Sequence, residues 1–306
     1  MKHAFIMDPL EGVKPWKDTS YFLMLAAYQR GHEVCYLDQR DLYLDHDQLM
    51  AKVKWLQVND DHDTPFEVIA ETTSSMANID VVWLRTDPPF DRRYFYTTLL
   101  LDFLPSKVKV VNDPQGVRDW NEKLSAIHFP QFTPQTFVSN DVADIKAFAG
   151  RHDRITLKPV DGFGGKGIFF YRQGEDDAEI HKITHQGKQW VIAQEYLPEA
   201  EQGDKRILVV EGEPIGAILR VHAPGQELNN LDMGGEAVQV ELDEYDLAIC
   251  AAIKPKLLEM GVFFVGIDVI GGKLIEINVT SPTGLQELSK FSGIDHHHNI
   301  IQRLEA

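Results

Sequence analysis

Two carboxylates and an amide occur close together in an otherwise apolar segment near the C-terminus, residues 263–283. Two apolar runs flank Gly271-Gly272, which predicts a β-hairpin. Because strand side chains alternate between faces, Glu276 and Asn278 share one face, and Asp268 on the partner strand can lie opposite them. Buried carboxylates are unfavourable unless a cation compensates them, and oxygen ligands of this kind suit Mg²⁺ bound together with phosphate oxygens. The segment therefore predicts a metal site, and a hairpin with solvent-facing acids is the alternative.

A second segment has the composition of an anion-binding loop. Lys158 ends an apolar run, and the loop that follows contains four glycines, Gly162, Gly164, Gly165 and Gly167. Glycine lets backbone N–H groups turn toward an anion without steric cost, and Lys158 adds a positive charge. The spacing is not that of a P-loop, since no Lys-Ser/Thr follows the last glycine. We interpret the loop as a flap over a nucleotide, with an ordinary hairpin as the alternative.

The run Gln194, Glu195, Tyr196, Leu197 follows a predicted buried strand and precedes Pro198. A linker between two lobes commonly reads the edge of an adenine through backbone groups and an apolar contact. The run is therefore a candidate adenine site, and an edge strand stopped by proline is the alternative.

Asp204, Arg206 and Arg220 fall on two adjacent predicted strands. Alternation places Asp204 and Arg206 on one face. Arginine matches carboxylates and phosphates in bidentate geometry, so this group is a candidate anion site. A structural ion pair is the alternative. His296, His297 and His298 lack an acid or a cysteine at ligand spacing, which favours a solvated helix start over a metal site.

The first third of the chain alternates predicted strands with helices, one of which is capped near Asp18 and stops at Gly31. The strands lie at residues 4–7, 33–37, 81–84 and 108–111. This order predicts a parallel sheet covered by helices, in which ligands collect beyond the carboxyl ends of the strands. Three charged residues follow such ends and are candidate substrate contacts, namely Asp8, Arg85 and Asp87. The alternative is that prolines stop these strands and the charged residues merely lie in the turns.

The remainder divides into a small α+β part and an antiparallel part. We predict an N-terminal domain at 1–121, a small lobe with the glycine-rich loop at 122–200, and a C-terminal lobe at 201–306. Within the last, residues 223–235 read as a mobile loop. The fold class is α/β, with α+β character toward the C-terminus.

Bulk properties limit the function classes. A chain of 306 residues with 43% hydrophobic composition can bury a sizeable core. The net charge of −17 argues against nucleic-acid and anionic-membrane partners. Two cysteines, Cys35 and Cys250, imply no disulfide framework, and no apolar run has the length of a membrane span, so we expect a cytoplasmic protein.

Taken together these motifs resemble the ATP-grasp ligases, and within them the bacterial glutathione synthetases. The resemblance runs over nearly the whole chain. The motifs that carry it are Met7-Asp8-Pro9, Asp87-Pro88-Pro89-Phe90-Asp91, Asn121-Glu122-Lys123-Leu124, Lys158-Pro159, Asp161-Gly162, Gly203-Asp204-Lys205-Arg206, Gly212-Glu213-Pro214, Phe264-Val265-Gly266-Ile267-Asp268 and Glu276-Ile277-Asn278-Val279-Thr280-Ser281-Pro282-Thr283. The resemblance implies a pre-ATP-grasp N-terminal domain followed by a two-lobed ATP-grasp fold.

The resemblance also implies a chemistry. ATP would phosphorylate the C-terminal carboxylate of γ-glutamylcysteine, and the amine of glycine would attack the acyl phosphate. Lys123 and Lys158 would hold phosphates, and residues 194–197 would hold adenine. Two Mg²⁺ ions, with Mn²⁺ as a substitute, would bind the predicted hairpin site. Catalytic roles would fall to Asp204, Arg206 and Arg220, and substrate contacts to Asn230, Ser281, Pro282 and Thr283, in a homo-oligomer (a tetramer or a dimer).

One loop departs from the family pattern. Glutathione synthetases of this type usually read Glu-Thr-Arg-Gly-Asn-Leu-Ala-Ala-Gly-Gly-Arg where this chain has residues 226–236, and Leu228 and Glu236 replace the two arginines. We expect this loss of positive charge to weaken closure of the loop or to alter which carboxylate substrate is bound. The alternatives are therefore a sister ligase acting on another peptide or amino acid, and an ATP-binding regulatory module without catalysis.

Overall fold

The computed structural model describes residues 1–223 and 235–305. In these residues the strands form three sheets, each of which contributes to one deep cavity. The predicted mobile loop at 223–235 lies outside the described residues except for its first and last residue, and the candidate Asn230 lies outside them as well. No helix in the described ranges combines the length and apolar character that crossing a membrane requires.

The first sheet is formed by the N-terminal part of the chain. Its elements are β1 (Lys2–Ile6), α1 (Thr19–Gln29), β2 (Glu33–Leu37), β3 (Leu42–Asp45), β4 (Gln48–Val58), β5 (Phe66–Ser75), β6 (Val81–Leu84), α2 (Arg92–Leu101), β7 (Lys109–Val111) and α3 (Pro114–Asp119). The strand order is β3-β4-β2-β1-β6-β7, with β5 on the other side of β4. Helix α1 begins where Asp18 Oδ1 accepts a hydrogen bond from the Tyr21 backbone N–H at 2.8 Å, as its cap position predicted.

The sequence prediction of a parallel sheet is correct for four strands and incomplete for the sheet as a whole. β2, β1, β6 and β7 pair in parallel and lie within one or two residues of their predicted positions. β3, β4 and β5 add antiparallel pairs that the strand pattern of the sequence did not predict. β5 is exposed along most of its length, so it lacks the apolar alternation that marks a strand with one buried face.

The second sheet belongs to the middle of the chain and is wholly antiparallel. Its elements are β8 (Thr136–Ser139), α4 (Val142–Ala149), β9 (Ile155–Pro159), β10 (Phe169–Tyr171), α5 (Ala178–Ile183) and β11 (Val191–Glu195), in the order β10-β9-β11-β8. The glycine-rich turn connects β9 to β10, as predicted. Lys123 immediately precedes a 3-10 helix at Leu124–His128.

The third sheet carries the predicted metal hairpin. Its elements are β12 (Asp204–Val210), β13 (Glu213–Val221), β14 (Glu236–Val240), α6 (Glu244–Glu259), β15 (Phe264–Ile270) and β16 (Lys273–Asn278), in the order β14-β13-β12-β15-β16. β15 and β16 are joined at Gly271 and Gly272, whose φ angles of +54° and +72° are those of a tight hairpin turn that favours glycine. This confirms the predicted hairpin.

The chain ends in two helices that return to the first sheet. α7 (Leu285–Ser292) and α8 (His296–Leu304) pack with α1, and Leu285, Ile300 and Ile301 join the apolar core that also contains Phe5 and Trp83. The third sheet thereby connects, through α7 and α8, to the N-terminal part. Arg85 and Asp87, which follow β6, form hydrogen bonds with Pro282 and Ser281, which precede α7.

Candidate functional site

A cavity of about 320 Å³ lies between the second and third sheets. Two of its walls are the glycine-rich turn and the hairpin of β15 and β16. Most of the residues predicted from the sequence line it: Asp87, Lys123, Lys158, Gly164, Gly165, Gln194, Glu195, Tyr196, Leu197, Asp204, Arg206, Arg220, Asp268, Glu276, Asn278, Ser281, Pro282 and Thr283. Residues from every part of the chain therefore meet at one site, which we call the main cavity.

The three predicted metal donors do converge. Asp268 and Glu276 are register partners across the hairpin, and Asn278 Nδ2 lies 3.3 Å from Asp268 Oδ2. The Asn278 Nδ2 group also donates to the Gly266 carbonyl at 3.2 Å, so its amide oxygen is turned away from these two acceptors. Strand pairing thus brings three oxygen-bearing side chains to the cavity wall.

Asp268 is held by two arginines. Arg206 donates from Nε and Nη2 to its two oxygens at 2.5 and 2.9 Å, and Arg220 Nη2 lies 2.9 Å from Oδ2. Burial opposes ionisation of Asp268, but the guanidinium groups outweigh it and hold the pKa of this carboxyl well below its usual range. The predicted face shared by Asp204 and Arg206 therefore carries a continuous charged network.

Asp204 completes the network from the start of β12. Its carboxylate accepts two hydrogen bonds from Arg220, at 2.6 Å from Nε and 2.8 Å from Nη2. Burial, together with the charge of Asp268, raises the pKa of Asp204 to about 6 although Arg220 opposes the shift. The alternative of structural ion pairs is therefore correct, and because Arg206 and Arg220 also line the main cavity, the anion site stays a prediction.

Lys158 points from the end of β9 into the buried side of the main cavity. Its Nζ donates to Gln194 Oε1 at 2.8 Å, and Gln194 Nε2 in turn donates to Thr136 Oγ1 at 2.9 Å. Burial lowers the pKa of Lys158 to about 8, and Glu276 offsets part of that shift. A buried ammonium with one amide partner is well suited to receive an anion.

Lys123 connects the flap to the hairpin. Its Nζ lies 3.2 Å from Glu276 Oε1 and donates to the Gly162 carbonyl in the glycine-rich turn. Burial lowers the pKa of Lys123, but Glu276 and Glu122 outweigh it, so the pKa lies above its ordinary value. Gly164 and Gly165 line the main cavity, whereas Gly162 and Gly167 stand behind it, against the Pro159 ring.

The predicted adenine run forms one end of the main cavity. β11 ends at Glu195, and Tyr196 packs edge-on against Phe170 with ring centroids 5.5 Å apart. Phe170 also lines the main cavity, as do Ile270 and Ile275 of the hairpin. This end is therefore apolar and aromatic, the surface on which a planar base packs.

The three candidates at the ends of the parallel strands have different positions. Asp87 lines the main cavity and accepts a hydrogen bond from Ser281 Oγ at 2.6 Å. Asp8 lies behind it in a second, smaller cavity. Arg85 lines neither cavity among the described residues; it is 4% exposed and donates to Ser20 Oγ and the Pro282 carbonyl, each at 3.0 Å.

Glu122 also lines the main cavity, although its motif in the sequence predicts no role for it. One of its oxygens accepts hydrogen bonds from the Val279 N–H, the Thr280 N–H and the Thr280 hydroxyl, at 3.0, 3.1 and 2.8 Å. Burial raises the pKa of this carboxyl. Glu122 thus holds the segment after β16 that leads to Ser281. Its place beside Lys123 in the motif at 121–124 was the available signal.

The histidine run differs from its prediction. His296 and His297 are each 6% exposed, and the His297 ring stacks on Phe22 with centroids 3.6 Å apart. The run therefore begins a helix packed on α1, and the predicted solvated start is wrong. The sequence could not show this because the contact partner lies far away in the chain.

The residues of the hairpin fit a divalent cation. Among the described residues no three His, Cys, Asp or Glu side chains are arranged to hold a metal, and the oxygen-bearing side chains that would hold one here are Asp268, Glu276 and the amide of Asn278. These are hard oxygen donors beside the buried cations Lys123 and Lys158, a combination typical of a metal held jointly by protein and phosphate oxygens.

The chain matches two family models that together cover nearly all of it. Residues 1–118 match the N-terminal domain of prokaryotic glutathione synthetase, and residues 122–293 match its ATP-grasp domain. Glutathione synthetase of Vibrio vulnificus is 42% identical over 309 residues, covering 100% of this chain and 98% of the relative. That of Pseudomonas syringae is 44% identical over 294 residues, covering 95% and 92%.

Solved structures share the fold at much lower identity. D-cycloserine synthetase DcsG superimposes with a TM-score of 0.69 at 14% identity, covering 99% of this chain and 100% of that chain. The ATP-grasp ligase PsnB in complex with its minimal precursor gives a TM-score of 0.65 at 15% identity, covering 99% and 98%. These likenesses concern the ATP-grasp fold alone.

Proposed function

The chain belongs to the prokaryotic glutathione synthetase family, and from that premise we propose that it joins γ-glutamylcysteine to glycine with hydrolysis of ATP to ADP and phosphate. It is an ATP-dependent ligase that forms a C–N bond, uses a divalent metal and acts on small-molecule substrates. The observation that carries the proposal is the convergence of Lys123, Lys158, Asp268, Glu276 and Asn278 in the main cavity.

The nucleotide occupies the side of the main cavity between the flap and the hairpin. Adenine packs at the apolar end against residues 194–197, and Lys158 and Lys123 hold the phosphates. The glycine-rich turn, of which Gly162 is already bound to Lys123, covers them. Phosphoryl transfer needs positioning and charge neutralisation more than covalent help from the protein, and this arrangement supplies both.

Asp268, Glu276 and Asn278 would hold the divalent metal ions. We propose that two Mg²⁺ ions bind here and that Mn²⁺ can replace them. When bound, the metal neutralises phosphate charge and polarises the bond that breaks. Lys123 Nζ lies 3.2 Å from Glu276 Oε1, so the ion pair holds this carboxylate at the cavity wall.

Arg206, Arg220 and Asp204 act on the reacting groups. Each arginine uses Nε and Nη2 in its carboxylate fork, so the forks orient the guanidinium groups toward the cavity. The C-terminal carboxylate of γ-glutamylcysteine attacks the γ-phosphorus, ADP leaves, and the glycine amine then displaces phosphate from the acyl carbon as it loses a proton. The arginines stabilise the charge on the transferring group, and Ser281, Pro282 and Thr283 line the substrate end.

A ligation assay tests the function. We expect purified protein with Mg-ATP, γ-glutamylcysteine and glycine to form glutathione and ADP in equal amounts. Omission of either substrate in turn is the control, because ADP release without it measures hydrolysis of the acyl phosphate or of ATP. ADP formation only with another acid and amine would instead identify a sister ligase, and ATP binding without turnover a regulatory module.

The metal assignment has its own test. Glu276→Ala should lower kcat by at least about a hundredfold, because charge stabilisation by a bound metal contributes several kcal/mol. Circular dichroism and thermal unfolding should show an intact fold. Glu201→Ala removes an exposed acid from the same part of the chain and should leave kcat unchanged. Normal turnover in Glu276→Ala would refute the assignment.

We also propose the domain division 1–121, 122–200 and 201–306, and a cytoplasmic homo-oligomer, either a tetramer or a dimer. Exposed apolar side chains on α2, namely Phe95, Tyr96 and Leu99, support a subunit interface. The buried thiols Cys35 and Cys250 are unpaired with one another, which suits a reducing compartment. Light scattering should give a mass of two or four times the 34.8 kDa of one chain, and the mass of a single chain would contradict the proposed oligomer.

A further inference from the structure

A second cavity of about 160 Å³ adjoins the main cavity, and we call it the side cavity. It lies at the carboxyl ends of three parallel strands, since Asp8 follows β1, Asp38 follows β2 and Asp87 follows β6. Ligands of α/β sheets bind at such ends because the turns there diverge. Asp87 and Pro88 line both cavities, so one elongated molecule can occupy the two together.

The charges around the side cavity favour a ligand that carries one positively charged group next to one negatively charged group. Two acidic residues of the lining already have partners within their own segments. Asp38 forms a bidentate ion pair with Arg40, and Asp91 accepts a hydrogen bond as the N-cap of α2. Asp8 accepts the Asp87 N–H at 2.8 Å. Burial, and then the charge of Asp87, raises the pKa of Asp8, which means that its charge is incompletely compensated. Arg93 lines the same cavity and supplies the positive counterpart.

Three buried polar atoms of this lining have no hydrogen-bond partner among the described residues. They are the hydroxyl of Tyr94, a residue 1% exposed, Nε2 of Gln39, a residue 9% exposed, and Oγ1 of Thr86. Buried polar groups are normally paired, and each exception needs an explanation. Tyr94 lines the side cavity together with Asp87 and Pro88, the two residues that also line the main cavity.

We propose that the side cavity binds the α-amino acid end of γ-glutamylcysteine, with the ammonium at Asp8 and Asp87 and the α-carboxylate at Arg93 and Gln39. This inference rests on the proposed function. Glycine does not fit the same role, because its amine must reach the acyl phosphate unprotonated and a carboxylate pair stabilises the protonated form. The dipeptide amine takes no part in the reaction, so an acidic pocket can recognise it without slowing the chemistry.

The test combines a protein variant with a substrate analogue. N-glutarylcysteine lacks only the α-amino group, and Asp8→Asn removes one charge while its amide oxygen can still accept the Asp87 N–H. We expect wild-type kcat/KM to be about ten- to a hundredfold lower for the analogue than for γ-glutamylcysteine. Asp8→Asn should cause a similar loss with γ-glutamylcysteine but less than about a threefold change with the analogue. KM for ATP should not change.

Two further variants keep the test decisive. Asp47→Asn removes an exposed carboxylate from the same domain and should leave both substrates unaffected. Tyr94→Phe deletes the unpartnered hydroxyl, so it should reduce kcat/KM for γ-glutamylcysteine by about three- to tenfold without lowering thermal stability. It serves as the second test if Asp8→Asn does not fold.

The outcomes separate this inference from the proposed function. Failure of the wild type to form glutathione from γ-glutamylcysteine would overturn the proposed function. If the wild type does form glutathione but uses both substrates equally, or if Asp8→Asn affects both equally, the function stands and the side cavity does not bind the ammonium.

Discussion

At the scale of single residues, burial sets the charge state of the group most suited to bind phosphate. Lys158 is 7% exposed, and Gln194 is its hydrogen-bonded partner. A neutral amide cannot compensate a full charge, so the ammonium is only weakly favoured over the amine. A bound phosphate would supply the missing compensation, which makes Lys158 sensitive to both ligand and pH.

We therefore predict that kcat/KM for ATP falls as the pH rises above about 8, the pKa of Lys158 in the free protein. The sign follows because the cation that holds the phosphates is lost as the pH passes that value, and kcat/KM reports groups of the free enzyme. Lys158→Arg should move the fall to higher pH, because arginine stays protonated. The measurement is a pH profile of initial rates at subsaturating ATP. An unshifted fall in Lys158→Arg would assign it to another group.

At the scale of elements, α3 is fixed against the turn that follows α6 at a point where only glycine fits. A Cβ added at Gly116 would lie 2.3 Å from the Met260 carbonyl oxygen and 3.1 Å from Val262 Cγ2. The Asp113 N–H also donates to the Gly261 carbonyl across the same contact, at 3.2 Å. This contact ties the last helix of the first sheet to the start of β15, the strand that carries Asp268.

Gly116→Ala should lower the free energy of unfolding by about 1–3 kcal/mol, because the backbone carbonyl cannot move aside as a flexible side chain would. Gly12→Ala is the matched control, since a Cβ there meets nothing within 4 Å. It should leave stability unchanged or raise it by up to about 1 kcal/mol. Denaturant unfolding measures both. Equal stability of the two variants would contradict the close contact.

At the scale of the whole molecule, a chain of hydrogen bonds ties the C-terminal end to the first sheet. Trp83 Nε1 donates to His3 Nδ1 at 3.0 Å, so the His3 proton lies on Nε2, which contacts His32 Nδ1 at 2.8 Å. His32 Nε2 then lies 3.0 Å from Glu305, which also forms a fork with Arg30. Each imidazole ring therefore accepts one hydrogen bond and donates one, so every hydrogen bond of this chain is formed when His3 is neutral.

This arrangement predicts that the protein loses stability as the pH falls below about 6.5. Burial, and then His32, lowers the pKa of His3 to about 3 from 6.5 in the unfolded chain, although Asp80 and Glu305 act in the opposite direction. Below pH 6.5 the unfolded state therefore binds more protons, and folding weakens by about 1 kcal/mol between pH 7.5 and 5.5. Unfolding at the two pH values measures it.

His3→Gln should be less stable overall but should show a smaller difference between the two pH values. His46→Asn alters an exposed histidine on a turn of the same domain and should keep the wild-type difference. An equal pH dependence in wild type and His3→Gln would show that other groups, among them the buried His297, account for the loss.

Much of the framework was predictable because its signals are local. The strand at 33–37, the helix capped by Asp18 and the hairpin at Gly271-Gly272 each depend on residues adjacent in the chain, and all three were predicted correctly. Alternation along β16, with the facing position of Asp268 on β15, likewise sufficed to place the three proposed metal donors on one wall.

The rest depended on contacts between distant residues. Sequence spacing determined that acids, lysines and glycines capable of nucleotide chemistry are present and on which strand face they stand. Only the tertiary structure decided that Asp268 is shared by two arginines, that Glu122 binds Thr280 across 158 positions, and that the ends of three parallel strands form the side cavity. The reason is physical: strand periodicity is a property of neighbouring residues, whereas burial and partner charges, which set pKa values and recognition, arise only when separate segments pack together.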